Sequence, residues 1–394
     1  MTATEEIRQR HGAALMRTLG TPMLVLERGD GSWVWDVDGN RYLDFLAGIA
    51  VNSLGHAHPV VVEAATRQAS TLVHVSNYFA TPPQVALAEQ LRRITGAGEQ
   101  GRVYFGNSGA EAIEAAFKLA RRNEADGRHR ILSLKNSFHG RTMGALALTG
   151  KTALHEHFLP MVPGVEHIDS TIEALDAEVD GSVAALVVEP IKGEAGVVPL
   201  PDGYLAHARE LTARHGALLI IDEIQTGVGR TGEWFAYQHD GIVPDAVAIA
   251  KGIAGGIPIG ALVTFGEASE LLRRGDHGST FGGNPFATAV AGAVLAEIER
   301  AGLVENARIR GAQLQDLIAA IDSPVITAVR GKGLMVGVGI ADGRAAEVAD
   351  AALGNGLIIN APNPDSLRIV PPLTIGDAEL EAFDERFRAT IASF

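Results

Sequence analysis

The sequence predicts an α/β protein, with a large three-layer α/β/α domain around a mostly parallel sheet and a smaller α+β domain. Between about Pro59 and Arg300, helical segments alternate with short, continuous apolar runs such as Val183 to Val188. Such runs are typical of parallel strands that are covered by helices on both faces. The chain has 394 residues, of which 46% are hydrophobic. That is enough to bury cores in both domains.

The two ends of the chain predict the smaller domain. From Trp33 onward, apolar and polar residues alternate around Asp38 and Gly39, which is typical of a β-hairpin with a tight turn. The C-terminal part predicts helices at Leu303 to Ile321, Arg344 to Gly354 and Asp377 to Ile391, with strands near Gly333 to Ile340 and Leu357 to Ile369. We therefore expect residues 1–58 and 301–394 to build the small domain and residues 59–300 to form the large one.

Charge and composition exclude several classes of function. A formal net charge of −14 and a sequence pI near 5.4 argue against nucleic acid or an anionic membrane as the main partner. The chain has no cysteine, so a disulfide framework, a Cys-ligated metal and a thiol nucleophile are ruled out. The first residues lack the basic start and apolar core of a secretory signal, and no apolar stretch approaches membrane-spanning length. We expect a cytoplasmic protein without a metal site.

Two apolar runs each end in a single charged residue. The run from Leu218 is followed by Asp222, and the run from Val247 is followed by Lys251. In open parallel sheets, ligands bind beyond the carboxyl ends of the strands. There a lysine amine can condense with an aldehyde, and an aspartate can hold a proton on a ring nitrogen, so the pair suits a pyridoxal phosphate site. Taken singly, Asp222 could instead cap a following helix and Lys251 could be an ordinary exposed lysine.

Two loops are candidates for binding the phosphate of such a ligand. A predicted strand from Arg102 to Phe105 leads through a glycine-containing loop into a helix, whose first residues Ser108, Gly109 and Ala110 would offer free N–H groups to an anion. Ser108 with Glu111 also fits a capping box, which explains the loop without any ligand. The second candidate, His277 to Pro285, could equally be an ordinary glycine loop.

A third group of side chains could contact a flat ring and a carboxylate. After the predicted strand at residues 131–134, Phe138 could stack on a ring, and Arg141 could hold a carboxylate in a bidentate fashion. Each also has an ordinary explanation, as a core aromatic and a solvated arginine. His139 could be structural or catalytic. Gln225 could bond a phenolic oxygen on the ligand or face water.

Taken together, these motifs resemble the class III pyridoxal phosphate-dependent aminotransferases, and within that family most closely the acetylornithine aminotransferases. The resemblance extends from about Gly31 to Pro372 and implies the fold type I, aspartate aminotransferase-like architecture. The matching segments, in chain order, are Asn107 to Ala112, Phe138 to Thr142, Val188 to Glu194, Ile221 to Gly232, Ala250 to Gly252 and His277 to Pro285.

The resemblance implies a role for each candidate residue. Lys251 would be the Schiff-base lysine and proton carrier, and Asp222 the partner of the pyridinium nitrogen. Thr280 would reach the phosphate bound to the other subunit, because the family forms its active sites at a homodimer interface. The remaining contacts to pyridoxal 5'-phosphate would come from the phosphate-binding residues Ser108, Gly109 and Ala110, the stacking ring of Phe138 and the side chain of Gln225.

The resemblance also implies two substrates, N2-acetylornithine and the 2-oxoglutarate/glutamate pair. Arg141 would bind the distal carboxylate and Arg368 the α-carboxylate of glutamate, with Ser279 as a further substrate contact. Glu194 would pair with Arg368 in one half-reaction and release it in the other. This exchange is physically reasonable, since an unpaired buried guanidinium is costly.

Two departures from the family pattern and several alternatives remain. Leu19 stands where ornithine aminotransferases carry a tyrosine that contacts the free α-amine, which favours a substrate with an acylated α-nitrogen. Ile113 replaces an Asn found in many relatives, without a functional explanation. Succinyl-diaminopimelate, ornithine and 4-aminobutyrate are alternative substrates, and a racemase or aminomutase is an alternative reaction. A nucleotide-binding protein is a poor alternative, because the required glycine motifs are missing.

Overall fold

A computed structural model describes residues 2–18, 20–124 and 127–394. Its helices are α1 (Ala3–Ala14), α2 (Ala47–Ala50), α3 (Pro59–Ala69), α4 (Pro82–Thr95), α5 (Gly109–Arg122), α6 (Met143–Leu148), α7 (Ile172–Glu178), α8 (Tyr204–His215), α9 (Pro285–Arg300), α10 (Leu303–Ala319), α11 (Ala345–Gly354) and α12 (Asp377–Ile391). No helix in these three ranges is long and apolar enough to cross a membrane.

The strands fall into a large central group and groups from the chain ends. They are β1 (Leu26–Asp30), β2 (Trp33–Asp36), β3 (Arg41–Asp44), β4 (Arg102–Gly106), β5 (Arg130–Leu134), β6 (Val165–Ile168), β7 (Val183–Val188), β8 (Ile191–Lys192), β9 (Val198–Pro199), β10 (Leu218–Asp222), β11 (Ala246–Ile249), β12 (Gly260–Thr264), β13 (Ile326–Lys332), β14 (Met335–Ile340), β15 (Leu357–Ile358), β16 (Asn360–Asn363) and β17 (Ser366–Ile369).

The central sheet has seven strands in the order β4-β12-β11-β10-β7-β5-β6. The neighbouring pairs from β11 to β6 are parallel, whereas β12 runs antiparallel to both of its neighbours, β11 and β4. The expected mostly parallel sheet is confirmed. Since the parallel strands share one direction, their carboxyl ends meet along one edge of the sheet.

Successive residues of the central strands face opposite sides, as a pleated strand requires. In β10, Leu218 and Ile220 belong to an apolar cluster with α5 and α6, whereas Leu219 and Ile221 belong to the core packed against α4, α8 and α9. The sheet is therefore covered on both faces, which explains why its strands read as continuous apolar runs. Ile113 lies fully buried in the first of these clusters, so its role in this structure is packing.

The chain ends meet in one of two smaller four-stranded sheets, and the other is built from the C-terminal part alone. The hairpin β2–β3 is present as expected, and β3 also pairs in parallel with β15 from the C-terminal part. The strands β13, β14, β17 and β16 form an antiparallel sheet. Sequence patterns did not reveal β13, whose residues are mostly half-buried or exposed and carry no clear alternation. The domain boundaries at residues 58 and 300 stay a prediction.

Candidate active site

A cavity of about 400 Å³ opens at the carboxyl-end edge of the central sheet. This volume is within the usual range for small-molecule sites. The sequence-predicted residues that line it are Ser108, Gly109, Ala110, Phe138, Arg141, Glu194, Asp222, Gln225 and Lys251. Segments that are far apart in sequence are thus brought together by the shared direction of β4, β5, β7, β10 and β11.

The start of α5 forms an anion-binding end of this cavity. Ser108 accepts the N–H of Glu111 (3.2 Å), as a helix N-cap does. The expected reciprocal capping box is absent, because the Glu111 carboxylate instead accepts the backbone N–H (2.7 Å) and side-chain amide (2.8 Å) of Asn107. The first-turn N–H groups of Gly109 and Ala110 have no partner among the described residues. They are the groups that a helix N-terminus offers to an anion.

Asp222 ends β10 as a buried carboxylate with fixed partners. Its Oδ1 accepts the N–H of Ile224 (3.0 Å), and its Oδ2 lies 2.7 Å from Nδ1 of His139. Turns follow the strand instead of a helix, so the helix-cap alternative is wrong. Burial alone would lower the pKa of His139, but its hydrogen bond to Asp222 and the nearby negative charges raise it. The contact with Asp222 therefore favours the protonated imidazole of His139.

Glu189 is a buried carboxylate of this site that the sequence reasoning did not single out. Its two oxygens accept the N–H of Phe138 (2.8 Å) and the N–H of Gly193 (3.2 Å). Burial raises the pKa of Glu189 to about 7. The signal was available, because Glu189 directly follows the apolar strand β7 just as Asp222 ends β10.

Lys251 lies two residues beyond β11 and lines the cavity beside Asp222. Its backbone adopts a left-handed conformation (φ 44°), which is uncommon for a residue with a side chain and clusters at functional sites. Burial and the charge of Arg368 lower the pKa of Lys251, although nearby carboxylates oppose the shift. A lysine with a lowered pKa is more often present as the free amine that attacks a carbonyl. The alternative of an ordinary exposed lysine is wrong.

Arg368 and Glu194 form an ion pair beside the cavity, and of the two only Glu194 belongs to the cavity lining. Arg368 comes from β17 and is 1% exposed, and its Nη1 contacts a Glu194 carboxylate oxygen. Its Nε donates to Asn360 (3.1 Å), and Nη1 also approaches Gln225 Oε1 (3.3 Å). Gln225 is buried, so it does not simply face water. Burial raises the pKa of Glu194, but the charges of Arg368, Lys251 and Lys151 outweigh that effect and lower it.

Arg141 differs from Arg368 in both exposure and pairing. It is exposed at the mouth of the cavity, and its guanidinium carbon lies 5.5 Å from the ring centroid of Phe138. No carboxylate pairs with it among residues 2–18, 20–124 and 127–394. Arg141 is therefore a cation that a ligand can reach without displacing another group.

Comparison with known proteins identifies the family. The family model described as "Aminotransferase class-III" matches residues 16–391. The chain belongs to the class-III aminotransferases. It is 51% identical to the acetylornithine aminotransferase of Mycobacterium tuberculosis, over 97% of this chain and 95% of that protein. It is 50% identical to the acetylornithine aminotransferase of Streptomyces coelicolor, over 97% and 94%.

Solved structures of other aminotransferases share the fold. The ornithine aminotransferase of Toxoplasma gondii aligns with a TM-score of 0.94 and 34% identity, covering 100% of this chain and 96% of that chain. The N-acetylornithine aminotransferase of Stenotrophomonas maltophilia aligns with a TM-score of 0.84 and 37% identity, covering 98% of each chain. The likeness in fold therefore extends over proteins named for different substrates.

Two site residues were predicted on the loop before α9, Ser279 and Thr280, and both lie apart from the cavity lining. Ser279 is partly buried, and its Oγ accepts from the side chain of Asn107 (3.0 Å) and from the N–H of Gly282 (3.0 Å). Thr280 is exposed. Neither lines the cavity of its own chain. The predicted departure at Leu19 lies outside the described residues.

The residues present fit the cofactor that class-III aminotransferases use, pyridoxal 5'-phosphate. The free amides of Gly109 and Ala110 suit its phosphate. Asp222 and Lys251 present a carboxylate and an amine to the same cavity, as a ring nitrogen and an aldehyde require. A side chain at residue 109 would crowd Ile224, with a Cβ only 2.9 Å from its Cδ1, so glycine allows the helix to start this close to the cavity.

Proposed function

We propose that this chain is an acetylornithine aminotransferase. It transfers the terminal amino group of N2-acetylornithine to 2-oxoglutarate, giving N-acetylglutamate 5-semialdehyde and glutamate, a step of arginine biosynthesis. The identity of about one half to acetylornithine aminotransferases supports this substrate.

The observation that carries the proposal is the pair of unequal arginines around one cavity. Both substrates present a carboxylate far from the reacting amine. Arg141 is exposed and has no carboxylate partner in the described parts of the chain, so it can bind that carboxylate in either case. Only glutamate also carries a carboxylate next to the reacting amine. Arg368 would bind that group once Glu194 releases it, whereas Glu194 covers Arg368 when acetylornithine is bound. The ion pair thus lets one site accept two differently charged substrates.

Residues at or just beyond the carboxyl ends of the central strands, here called the cavity floor, would serve the chemistry. When bound, pyridoxal phosphate supplies an aldehyde that condenses with amines and a ring that withdraws electrons from the adjacent carbon. Asp222 would hold a proton on the ring nitrogen, and His139 would keep Asp222 oriented. Lys251 would hold the aldehyde carbon in the resting enzyme and would later carry a proton on its Nζ. Phe138 would stack against the ring, and Gln225 would bond the ring hydroxyl.

A homodimer with shared active sites forms part of the proposal. The surface around the loop before α9 is unusually apolar, with Tyr78 92%, Phe79 66% and Phe281 61% exposed. Asn77 joins this surface to that loop by bonding the carbonyl of Ser279 (2.9 Å). Large exposed apolar patches mark interaction sites, and a second copy covering this one would bring Thr280 and Ser279 near the neighbouring cavity. We also place the enzyme in the cytoplasm, which cell fractionation tests.

Mixing two inactive variants tests the shared site. Lys251→Ala and Thr280→Ala subunits are combined by reversible dissociation. If Thr280 serves the other subunit, each hybrid dimer contains one site with both residues intact, and activity reappears. Recovery of activity no higher than the sum of the parent dimers contradicts the shared site.

A substrate panel tests the function. With 2-oxoglutarate as acceptor, kcat/KM is measured for N2-acetylornithine, succinyl-diaminopimelate, ornithine and 4-aminobutyrate. We expect N2-acetylornithine to have the highest value. A higher value for any of the other amines contradicts the proposed substrate, and loss of the amino group without transfer to 2-oxoglutarate contradicts the proposed reaction.

A further inference from the structure

Side chains bond four successive backbone carbonyls of the loop that carries Glu194. Lys151 Nζ donates to the carbonyl of Glu194 (2.8 Å), and Asn363 donates to the carbonyl of Ala195 (2.8 Å). Arg330 donates to the carbonyls of the next two residues, Gly196 (2.6 Å) and Val197 (3.1 Å). The loop backbone is therefore fixed, and the Glu194 carboxylate can leave Arg368 only by rotation of its own side chain.

Rotation limits where that carboxylate can go. The carboxylate carbon is three bonds of about 1.5 Å from its own Cα, so it stays close to the Glu194 backbone. The ammonium of Lys151 is already bonded to the carbonyl of the same residue. Lys151 is partly buried and has no carboxylate partner among the residues that the structure describes. An ammonium has three donors, so it can bond the carbonyl and a carboxylate together.

We propose that Lys151 is a positioning residue that receives the Glu194 carboxylate whenever a substrate α-carboxylate takes Arg368. The inference rests on the proposed function, because only a substrate with an α-carboxylate next to the reacting amine displaces Glu194. A carboxylate expelled into a partly buried pocket without a partner is costly. With Lys151 as second partner, Glu194 exchanges one cation for another, and the two states differ less in free energy.

Two variants of Lys151 separate its charge from its hydrogen bond. Lys151→Gln keeps a donor for the Glu194 carbonyl but removes the charge, whereas Lys151→Met removes both. We expect Lys151→Gln to lower the efficiency of the glutamate half-reaction by roughly three- to tenfold, while the acetylornithine half-reaction changes by less than about twofold. Lys135→Gln is the matched control, because this nearby lysine is exposed and paired with Asp169 (2.8 Å). Equal losses in both half-reactions for Lys151→Gln overturn the proposal.

A double-mutant cycle distinguishes the exchange from a merely structural role. In the Glu194→Ala background there is no carboxylate for Lys151 to receive, so Lys151→Gln should have no further effect on the glutamate half-reaction. If Lys151 only holds the loop, its substitution causes the same loss with or without Glu194. That second outcome overturns the proposal.

Binding of glutarate to the holoenzyme gives a readout besides activity. Glutarate has both carboxylates but no amine, and calorimetry should show that Lys151→Gln weakens its binding by roughly three- to tenfold. In a crystal structure with glutarate, Glu194 should lie within ion-pair distance of Lys151. A carboxylate that points to solvent, or one that remains on Arg368, overturns the proposal. The substrate panel on the unmodified enzyme tests the proposed function separately, so the two failures can be told apart.

Discussion

The floor of the cavity and its walls differ in how their charges are paired. On the floor, Asp222 and Glu189 are buried, and each has hydrogen-bond partners on the rigid edge of the sheet. On the walls, Arg141 is exposed and Glu194 pairs with Arg368, and within the described part of the chain no other carboxylate pairs with either arginine.

This difference distinguishes the part of the site that stays fixed from the part that changes its pairing during the reaction. Floor groups satisfied by strand ends and by one another keep the same field throughout a reaction, which is the basis of electrostatic preorganisation. Wall groups must accept two substrates in turn, so their pairing has to be exchangeable. Substitutions on the floor should therefore impair both half-reactions, and substitutions on the walls should separate them.

The largest effect is expected for Asp222→Asn, which nearly preserves shape but removes the charge from the floor. Without that charge a proton on the ring nitrogen is no longer held, and kcat should fall by on the order of a thousandfold or more in both half-reactions. The measurement is single-turnover kinetics with the cofactor content determined in parallel. Near-normal turnover with bound cofactor would mean that Asp222 only organises the turn through Ile224.

Much of the floor could be predicted from sequence, for a physical reason. A buried parallel strand is a continuous apolar run, and the first charged residue after it must lie at the edge where ligands bind. Asp222 and Lys251 were found in this way. Glu189 satisfies the same rule, since it directly follows β7, but it was not singled out.

The second prediction compares the two arginines of the walls. Arg368→Ala should impair the glutamate half-reaction far more than the acetylornithine half-reaction, whereas Arg141→Ala should impair both. Loss of a buried, charge-assisted pair costs on the order of 2–5 kcal/mol, or roughly thirtyfold to several thousandfold in efficiency. Single-turnover rates of each half-reaction measure the contrast.

Arg308→Ala provides the control for the arginine pair. This arginine is exposed and paired with Glu305 three residues earlier on α10, so its removal should leave both half-reactions within about twofold. An equal slowing of both half-reactions by Arg368→Ala would remove the distinction between fixed floor and exchangeable walls.

Arg368 and Glu194 depended on the family resemblance, not on the pattern of the sequence, whereas Arg141 was already a candidate from its place after β5. Arg368 lies on a short strand of the C-terminal sheet, and its partner Glu194 is 174 residues away in the chain. The packing of β17 against the loop after β8 brings the two residues together. Local sequence periodicity carries no information about that packing. The side chains that hold this loop were likewise visible only in three dimensions. The roles of Ser279 and Thr280 stay predictions, since neither lines the cavity of its own chain.

A third, smaller effect is expected for Glu194→Ala. Removing the carboxylate leaves Arg368 uncovered, so glutamate should bind at least as well as before, while acetylornithine meets an unpaired buried cation. The ratio of the two efficiencies should shift towards glutamate by roughly tenfold, because an uncompensated charge typically costs more than 1 kcal/mol. Glu305→Ala serves as the surface control. An unchanged ratio would mean that Glu194 does not select between the substrates.

A last effect, on stability alone, concerns Glu223, which adjoins Asp222 but is turned into the core. It is fully buried and accepts the N–H of Tyr237 (2.9 Å). Burial raises the pKa of Glu223 to about 7 from an ordinary value of 4.5. Because the folded-state pKa is the higher one, the stability linked to the neutral carboxyl is fully present below pH 4.5 and is lost as the pH rises through 7. The loss is at most about 3 kcal/mol.

Glu223→Gln tests this pH dependence in the core beneath the floor. The amide stays neutral at every pH, so the Tm of the variant relative to the unmodified holoenzyme should rise from pH 5 to about pH 7 and then level off. Glu233→Gln is the control, because this neighbouring glutamate is exposed and its substitution should give a difference in Tm that does not vary with pH. A constant difference for Glu223→Gln as well would mean that Glu223 is already ionised at pH 5. In that case the core beneath the floor would hold a permanent negative charge on Glu223.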